Sequence, residues 1–216
     1  MRDGMRVGLG SGSTARAFVE CLGRRVADGL GITAVASSTS TAELANSVGI
    51  PVAEHDTALD LAVDGADAVA RSSLAAIKGL GGALVRERLV AEAAFEFVLI
   101  VDDSKLFEQL SDSQPDVPVP VEILPFGWKL TRDRLASFGE PRLRVDSKGV
   151  PDKTDNGNLI IDLHGCDYGS LDELASGIKM LSGVVDHGLF LHLATTAIVG
   201  TAKGVLQLQP VHRRSS

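Results

Sequence analysis

Up to about Lys105 the chain alternates short apolar runs with longer stretches in which apolar positions recur every three or four residues. Short unbroken apolar runs suit strands, and the periodic stretches between them suit helices laid across a sheet. Strands are predicted at Met5–Leu9, Ile32–Ala36, Leu59–Val63 and Phe97–Val101. Helices are predicted at Thr14–Ala27, Thr39–Val48 and Ala83–Ala94. Alternation of this kind predicts an α/β fold, an open and mostly parallel sheet with helices on both faces.

The pattern changes near Pro115. The run "PDVPVPVEILPF" is punctuated by prolines, which remove ladder donors, so it reads as an edge strand or a linker. Beyond it come a strand at Val119–Leu124, a helix at Thr131–Phe138, a strand at Arg142–Val145, the turn "KTDNGN", a strand at Leu159–Leu163, a helix at Leu171–Leu181 and a strand at Val184–Val185. The order βαββαβ predicts a smaller, ferredoxin-like α+β unit, an antiparallel sheet with two helices on one face. The tail "TAIVGTAKGVLQLQ" reads as a hairpin returning to the large sheet. The expected division is residues 1–118 with 195–216 for the substrate-binding and catalytic unit and 119–194 for the small one.

Composition narrows the function classes. The 216 residues carry a formal net charge of -7 and no Lys/Arg block, which argues against a nucleic-acid partner. No segment approaches the roughly 18 consecutive apolar residues of a membrane span, so no membrane partner is expected and a cytoplasmic protein is. Cys21 and Cys166 have no CxxC partner and are expected to be buried, reduced thiols. His55, His164, His187, His192 and His212 show no metal-ligand spacing, so no metal is called for, and no cofactor is expected.

Four loops carry candidate chemistry. In "RVGLGSGSTARAF" the glycines sit between a strand and a helix. G-x-G-x-x-G would need glycine at Ser13, and a P-loop would need a lysine before Ser13 or Thr14. What remains is a turn whose backbone N–H groups and Ser11, Ser13 and Thr14 hydroxyls can converge on an anion, or a simple capped strand-to-helix turn. In "DLAVDGADAVA", Asp64 and Asp67 flank Gly65 and Ala66 directly after a strand; they suit sugar hydroxyls, or an Asx turn. In "IKGLGGALVRERLVAE", Lys78 precedes a turn containing Gly79, Leu80 and Gly81, and Glu87 lies in the following helix. A cation and a carboxylate can meet there in one cleft, although Arg86 and Arg88 also allow a solvated ion-pair face. The fourth loop, "IVDDSKL", sets Asp103, Ser104 and Lys105 after a buried strand.

These motifs, with "PVPVEILPF", "TDNGNLIIDL", "GVVDHGLF" and "AIVGTAKGV" in the same order, resemble the A-type ribose-5-phosphate isomerases over nearly the whole chain. The resemblance implies conversion of D-ribose 5-phosphate to D-ribulose 5-phosphate through an enediolate, in the non-oxidative pentose phosphate pathway. It assigns Glu87 as the base, Lys78 to the developing oxyanion, and Asp64 with Asp67 to hydroxyls and ring opening. Ser11, Gly12, Ser13, Thr14 and Lys105 would grip the phosphate, and Gly65, Ala66, Gly79, Leu80 and Gly81 complete the substrate-binding set. Ser11, Ala68 and Leu80 depart from the family's usual pattern. The family also places a helix with a basic residue ahead of its first strand, which here starts at Met5; either the start is truncated or the phosphate grip comes from the loops alone. A homodimer or homotetramer is implied. Two other classes remain: a catalytically weak sugar-phosphate sensor, and a hexose-phosphate deaminase or lactonase, for which a cleft histidine is expected.

Overall fold

The computed structural model describes residues 1–113 and 116–211; Pro115, which opens the proline-rich run, and His212 lie outside the described residues. The first half of the chain forms β1 (Arg6–Leu9), α1 (Gly12–Ala27), β2 (Thr33–Ala36), α2 (Thr39–Ser47), β3 (Leu59–Asp64), β4 (Ala68–Ala70), β5 (Ala76–Ile77), α3 (Leu84–Glu92) and β6 (Ala94–Asp102). A 3₁₀ turn at Asp103–Lys105 leads into β7 (Leu106–Phe107). Next come β8 (Val119–Ile123), α4 (Trp128–Leu135), β9 (Glu140–Leu143), β10 (Leu159–His164), α5 (Leu171–Lys179) and β11 (Val184–His187). The last strands are β12 (Leu189–Phe190), β13 (Thr196–Thr201) and β14 (Gly204–Leu208).

Six strands make the main sheet in the order β14-β13-β6-β3-β1-β2. Its pairs are parallel except for the β13–β14 hairpin, which returns to it as expected. Helices cover both faces. Val7 and Leu9 share a core with Val19 and Leu22 of α1. Gly8, between them, faces the other way, and a Cβ there would lie 2.4 Å from Val90 of α3. Side chains alternate across a strand, so α1 and α3 lie on opposite faces, and glycine is what lets α3 come so close.

The second sheet is antiparallel in the order β11-β8-β10-β9, the ferredoxin-like arrangement. Val119, Val121 and Ile123 of β8 pack with Ile161 and Leu163 of β10, Leu135 of α4 and Ile178 of α5, so both helices share one face. The proline-rich run is therefore neither an edge strand nor a linker where it is described; β8 is an inner, fully buried strand. Pro120 is tolerated because its carbonyl, on the side where its N–H would have pointed, accepts from the Gly188 N–H just past the end of β11. The missing donor falls where the neighbouring ladder has stopped. The α4 helix begins earlier than predicted because Gly127, at φ +70, turns the chain into it, and Leu130 on its first turn is exposed and so breaks the apolar period.

A third sheet, β12-β5-β4-β7, was not predicted at all. Strands of two or three residues are too short to leave an alternating pattern. It draws on four separated stretches of chain, and Ala68, Ala70 and Ile77 join the core of the ferredoxin-like sheet. Cys166 is buried, but Cys21 is exposed, a correction: α1 buries Ala15, Val19, Leu22 and Gly23, and Cys21 falls off that stripe.

Candidate active site

Three of the four loops open at the carboxyl ends of main-sheet strands: residues 10–14 after β1, 64–67 after β3 and 102–105 after β6. An open α/β sheet binds its ligands there. Lys78 arrives by another route. It follows β5 of the third sheet, and its N–H donates to the Gly188 carbonyl at 2.9 Å. A Cβ on Gly188 would lie 2.1 Å from the Lys78 carbonyl oxygen, so backbone from beyond the ferredoxin-like unit presses directly on the lysine.

The buried Lys78 ammonium lies 2.9 Å from Asp64 Oδ2 and 3.2 Å from Glu87 Oε2, and donates to the Gly65 carbonyl at 2.7 Å. Its Nζ also stands 5.4 Å from the centre of the Phe190 ring. Asp64 is held firmly: its Oδ1 accepts the N–H groups of Ser11 at 3.0 Å and Gly65 at 2.7 Å. The glycine-rich turn passes over this carboxylate so closely that a Cβ on Gly10 would lie 1.9 Å from Oδ1. Glu87, in the first turn of α3, pairs among the described residues with Lys78 alone, and its Oε2 makes no well-aligned hydrogen bond.

Burial is the main cause that pushes the Glu87 carboxyl up, to about 7; Lys78 pulls it back and the Asp64 charge pushes it further. Burial raises Asp64 as well, against the pull of Lys78 and the two N–H groups. Lys78 loses by burial, but Asp64 and Glu87 more than offset the loss and hold it above the ordinary lysine range. Asp64 and Glu87 thus share a single buried ammonium, and burial raises both carboxyls against its pull.

Ser11, Gly12, Ser13, Thr14, Gly65, Ala66, Asp67, Lys78, Gly79, Gly81, Glu87 and Lys105 line one cavity of about 170 Å³. Asp64 lies beneath it as the partner of Lys78. Leu80 does not line the cavity; its side chain is exposed, and its N–H donates to Asp67 Oδ2 at 3.0 Å. Helix α1 starts at Gly12, two residues before the predicted start, which puts the Gly12, Ser13 and Thr14 N–H groups in the first turn, where an anion can accept them. Ser11 Oγ is 2.8 Å from Ser37 Oγ, and Thr41 donates to the Gly10 carbonyl at 3.0 Å, so the turn is braced by the start of α2. Val101 and Asp102 also line the cavity and were not predicted; Asp103 does not line it. The Ser104 hydroxyl and N–H hold Asp102 below the usual carboxylate range. Its only signal was position, at the strand's carboxyl end.

A buried carboxylate near neutrality, a fixed ammonium and an anion-binding helix start suit proton transfer on a small phosphorylated substrate. The family model for ribose 5-phosphate isomerase A (phosphoriboisomerase A) matches residues 33–204. The chain belongs to this family. It is 48% identical over 215 residues to the ribose-5-phosphate isomerase A of Thermomicrobium roseum, covering 97% of this chain and 88% of that one. With the enzyme of the same name from Gluconobacter oxydans it shares 44% over 214 residues, 97% of this chain and 91% of the other. The solved ribose 5-phosphate isomerase A of Methanocaldococcus jannaschii superposes with a TM-score of 0.91 at 37% identity, covering 97% of this chain and 92% of that one. A D-ribose-5-phosphate isomerase in complex with phospho-erythronic acid superposes at 0.90 and 36% identity, with the same coverage. The ribose 5-phosphate isomerase A fold accounts for all three sheets. Among the described residues no histidine lines the cavity, where the deaminase or lactonase class would be expected to place one. No helix among the described residues is long and apolar enough to cross a membrane.

Proposed function

We propose that this isomerase interconverts D-ribose 5-phosphate and D-ribulose 5-phosphate, with Glu87 carrying the proton between C2 and C1. The observation that carries this reading is the placement of Glu87, raised to about 7 by burial, at 3.2 Å from a buried ammonium in the cavity that also holds the anion-binding turn. As a carboxylate Glu87 removes the C2 proton of the open-chain aldose. The electron pair moves onto the C1 oxygen, giving an enediolate whose charge the Lys78 ammonium stabilises. Return of the proton to C1, with the C2 hydroxyl proton passing to the C1 oxygen, completes the ketose. Asp64 and Asp67 hold hydroxyls and assist ring opening. The Ser11–Thr14 turn and Lys105 grip the phosphate far from the reacting carbons, which fixes orientation. Phospho-erythronic acid, the ligand named for one structural neighbour, joins a phosphate to a carboxylate whose charged oxygens resemble those of an enediolate.

A role in the non-oxidative pentose phosphate pathway and a cytoplasmic location are part of the same proposal. A homodimer or homotetramer is part of the proposal, supported by the exposed apolar side chains of Leu124, Phe126 (94% exposed) and Leu130. The test is direct: chelator-treated protein is incubated with D-ribose 5-phosphate and ketose is followed. Formation of D-ribulose 5-phosphate supports the reading; binding without conversion makes the protein a sugar-phosphate sensor.

A further inference from the structure

We infer that Arg144, paired with Asp162, is a positioning residue that aims the backbone of the Lys78–Gly81 turn at the substrate, which makes the ferredoxin-like sheet part of the catalytic apparatus. Arg144 directly follows β9, and Asp162 lies on β10. Nε of Arg144 donates to Asp162 Oδ2 at 2.9 Å, and its NH2 group donates to Oδ1 of the same carboxylate. The remaining nitrogen reaches across to the other unit and donates to the carbonyls of both Gly79 and Leu80, each at 2.9 Å. A planar guanidinium clamped on one side by a carboxylate has a fixed direction on the other.

The consequence follows from peptide planarity. In a trans peptide the C=O of one residue and the N–H of the next point opposite ways. With the Gly79 and Leu80 carbonyls drawn to Arg144, the N–H groups of Leu80 and Gly81 are turned away from it. The Leu80 N–H donates to Asp67 Oδ2, a cavity residue, which fixes the direction in which this side of the turn faces. Gly81 lines the cavity, and its N–H has no partner among the described residues. A free backbone donor beside Lys78 is suited to the oxyanion that develops on the sugar. Gly79, at φ +106, permits the turn, but glycine alone does not choose one orientation for it; the guanidinium does.

The inference rests on the proposed roles of Lys78 and Glu87, and the experiment separates the two. Arg144→Met, Arg144→Lys and Asp162→Asn are compared with wild type and with Glu87→Gln for kcat, KM, inhibition by phospho-erythronic acid, inhibition by inorganic phosphate, and Tm. The expected result is a fall in kcat of about 10- to 100-fold in Arg144→Met with KM little changed, since the aimed N–H acts mainly in the transition state. Affinity for phospho-erythronic acid falls while inhibition by inorganic phosphate stays at the wild-type level. Arg144→Lys and Asp162→Asn show the same pattern in smaller measure. A merely structural role would lower Tm and weaken both inhibitors alike. If Arg144→Met does not fold, Arg144→Lys and Asp162→Asn decide. Wild-type kcat in the folded variants, or equal loss of both inhibitors, overturns the inference. An inactive Glu87→Gln beside fully active Arg144 variants overturns this inference alone, whereas an active Glu87→Gln overturns the reading beneath it.

Discussion

Lys78 Nζ and Asp64 Oδ2 lie 2.9 Å apart although Asp64 ends a strand of the main sheet and Lys78 follows a strand of the third. Lys78→Met removes the only cation among the described residues in contact with the two buried carboxyls of Asp64 and Glu87. Leaving such charges unpaired costs about 3–5 kcal/mol while they are ionised. Asp64 and Glu87 already have raised pKa values, and without Lys78 they rise further. The folded state then holds protons that the unfolded state releases, so stability falls as pH increases through the folded-state values. The variant's Tm should lie closer to wild type at pH 5 than at pH 8. A deficit independent of pH would show that packing, not charge, is what Lys78 supplies.

Glu87→Gln keeps the shape of the side chain but cannot accept the proton. Turnover should fall by about 10²–10⁴-fold with little change in substrate affinity. Activity near wild type would remove Glu87 from the chemistry.

The base works only when ionised, and in the free protein Glu87 is raised to about 7. The rate constant kcat/KM should therefore fall as pH drops below about 7, approaching tenfold per unit. The Asp64 charge is one cause of that elevation, so in Asp64→Asn, whatever rate survives, the acid limb should move to lower pH. An unmoved limb would assign it to another group.

How far this site could be read from sequence depended on what kind of geometry made it. Asp64, Glu87 and the Ser11–Thr14 turn stand beside recognisable strands and helices, so periodicity located them. The third sheet was illegible because Ala76–Ile77 and Leu189–Phe190 are too short to show a period and meet only in three dimensions. Lys78 was found through its glycine neighbours, while its seat on Gly188 was not. Arg144 had no local signal: its partners are two backbone carbonyls and an aspartate on another strand. Pro120 misled because proline rules describe strand interiors in general and not the point where a neighbouring strand ends.

The phosphate grip has its own signature. Inorganic phosphate should compete with D-ribose 5-phosphate, and Thr14→Val should raise KM more than it lowers kcat, because the α1 start acts on binding. Equal phosphate inhibition of variant and wild type would place the anion elsewhere.

The seat of Lys78 also bears on when the protein becomes active during its synthesis. Asp64, Lys78 and Glu87 leave the ribosome at least a hundred residues ahead of the Gly188 carbonyl that holds the lysine backbone and the Phe190 ring beside its ammonium. Domains form from the amino end as they are made. Until residues 188–190 arrive, a lysine that must be buried has neither its backbone clamp nor its apolar wall. A nascent chain halted before Gly188 would carry the charged groups of the site without the means to bring them together, so turnover appears only once residues 188–190 have been translated and folded into place.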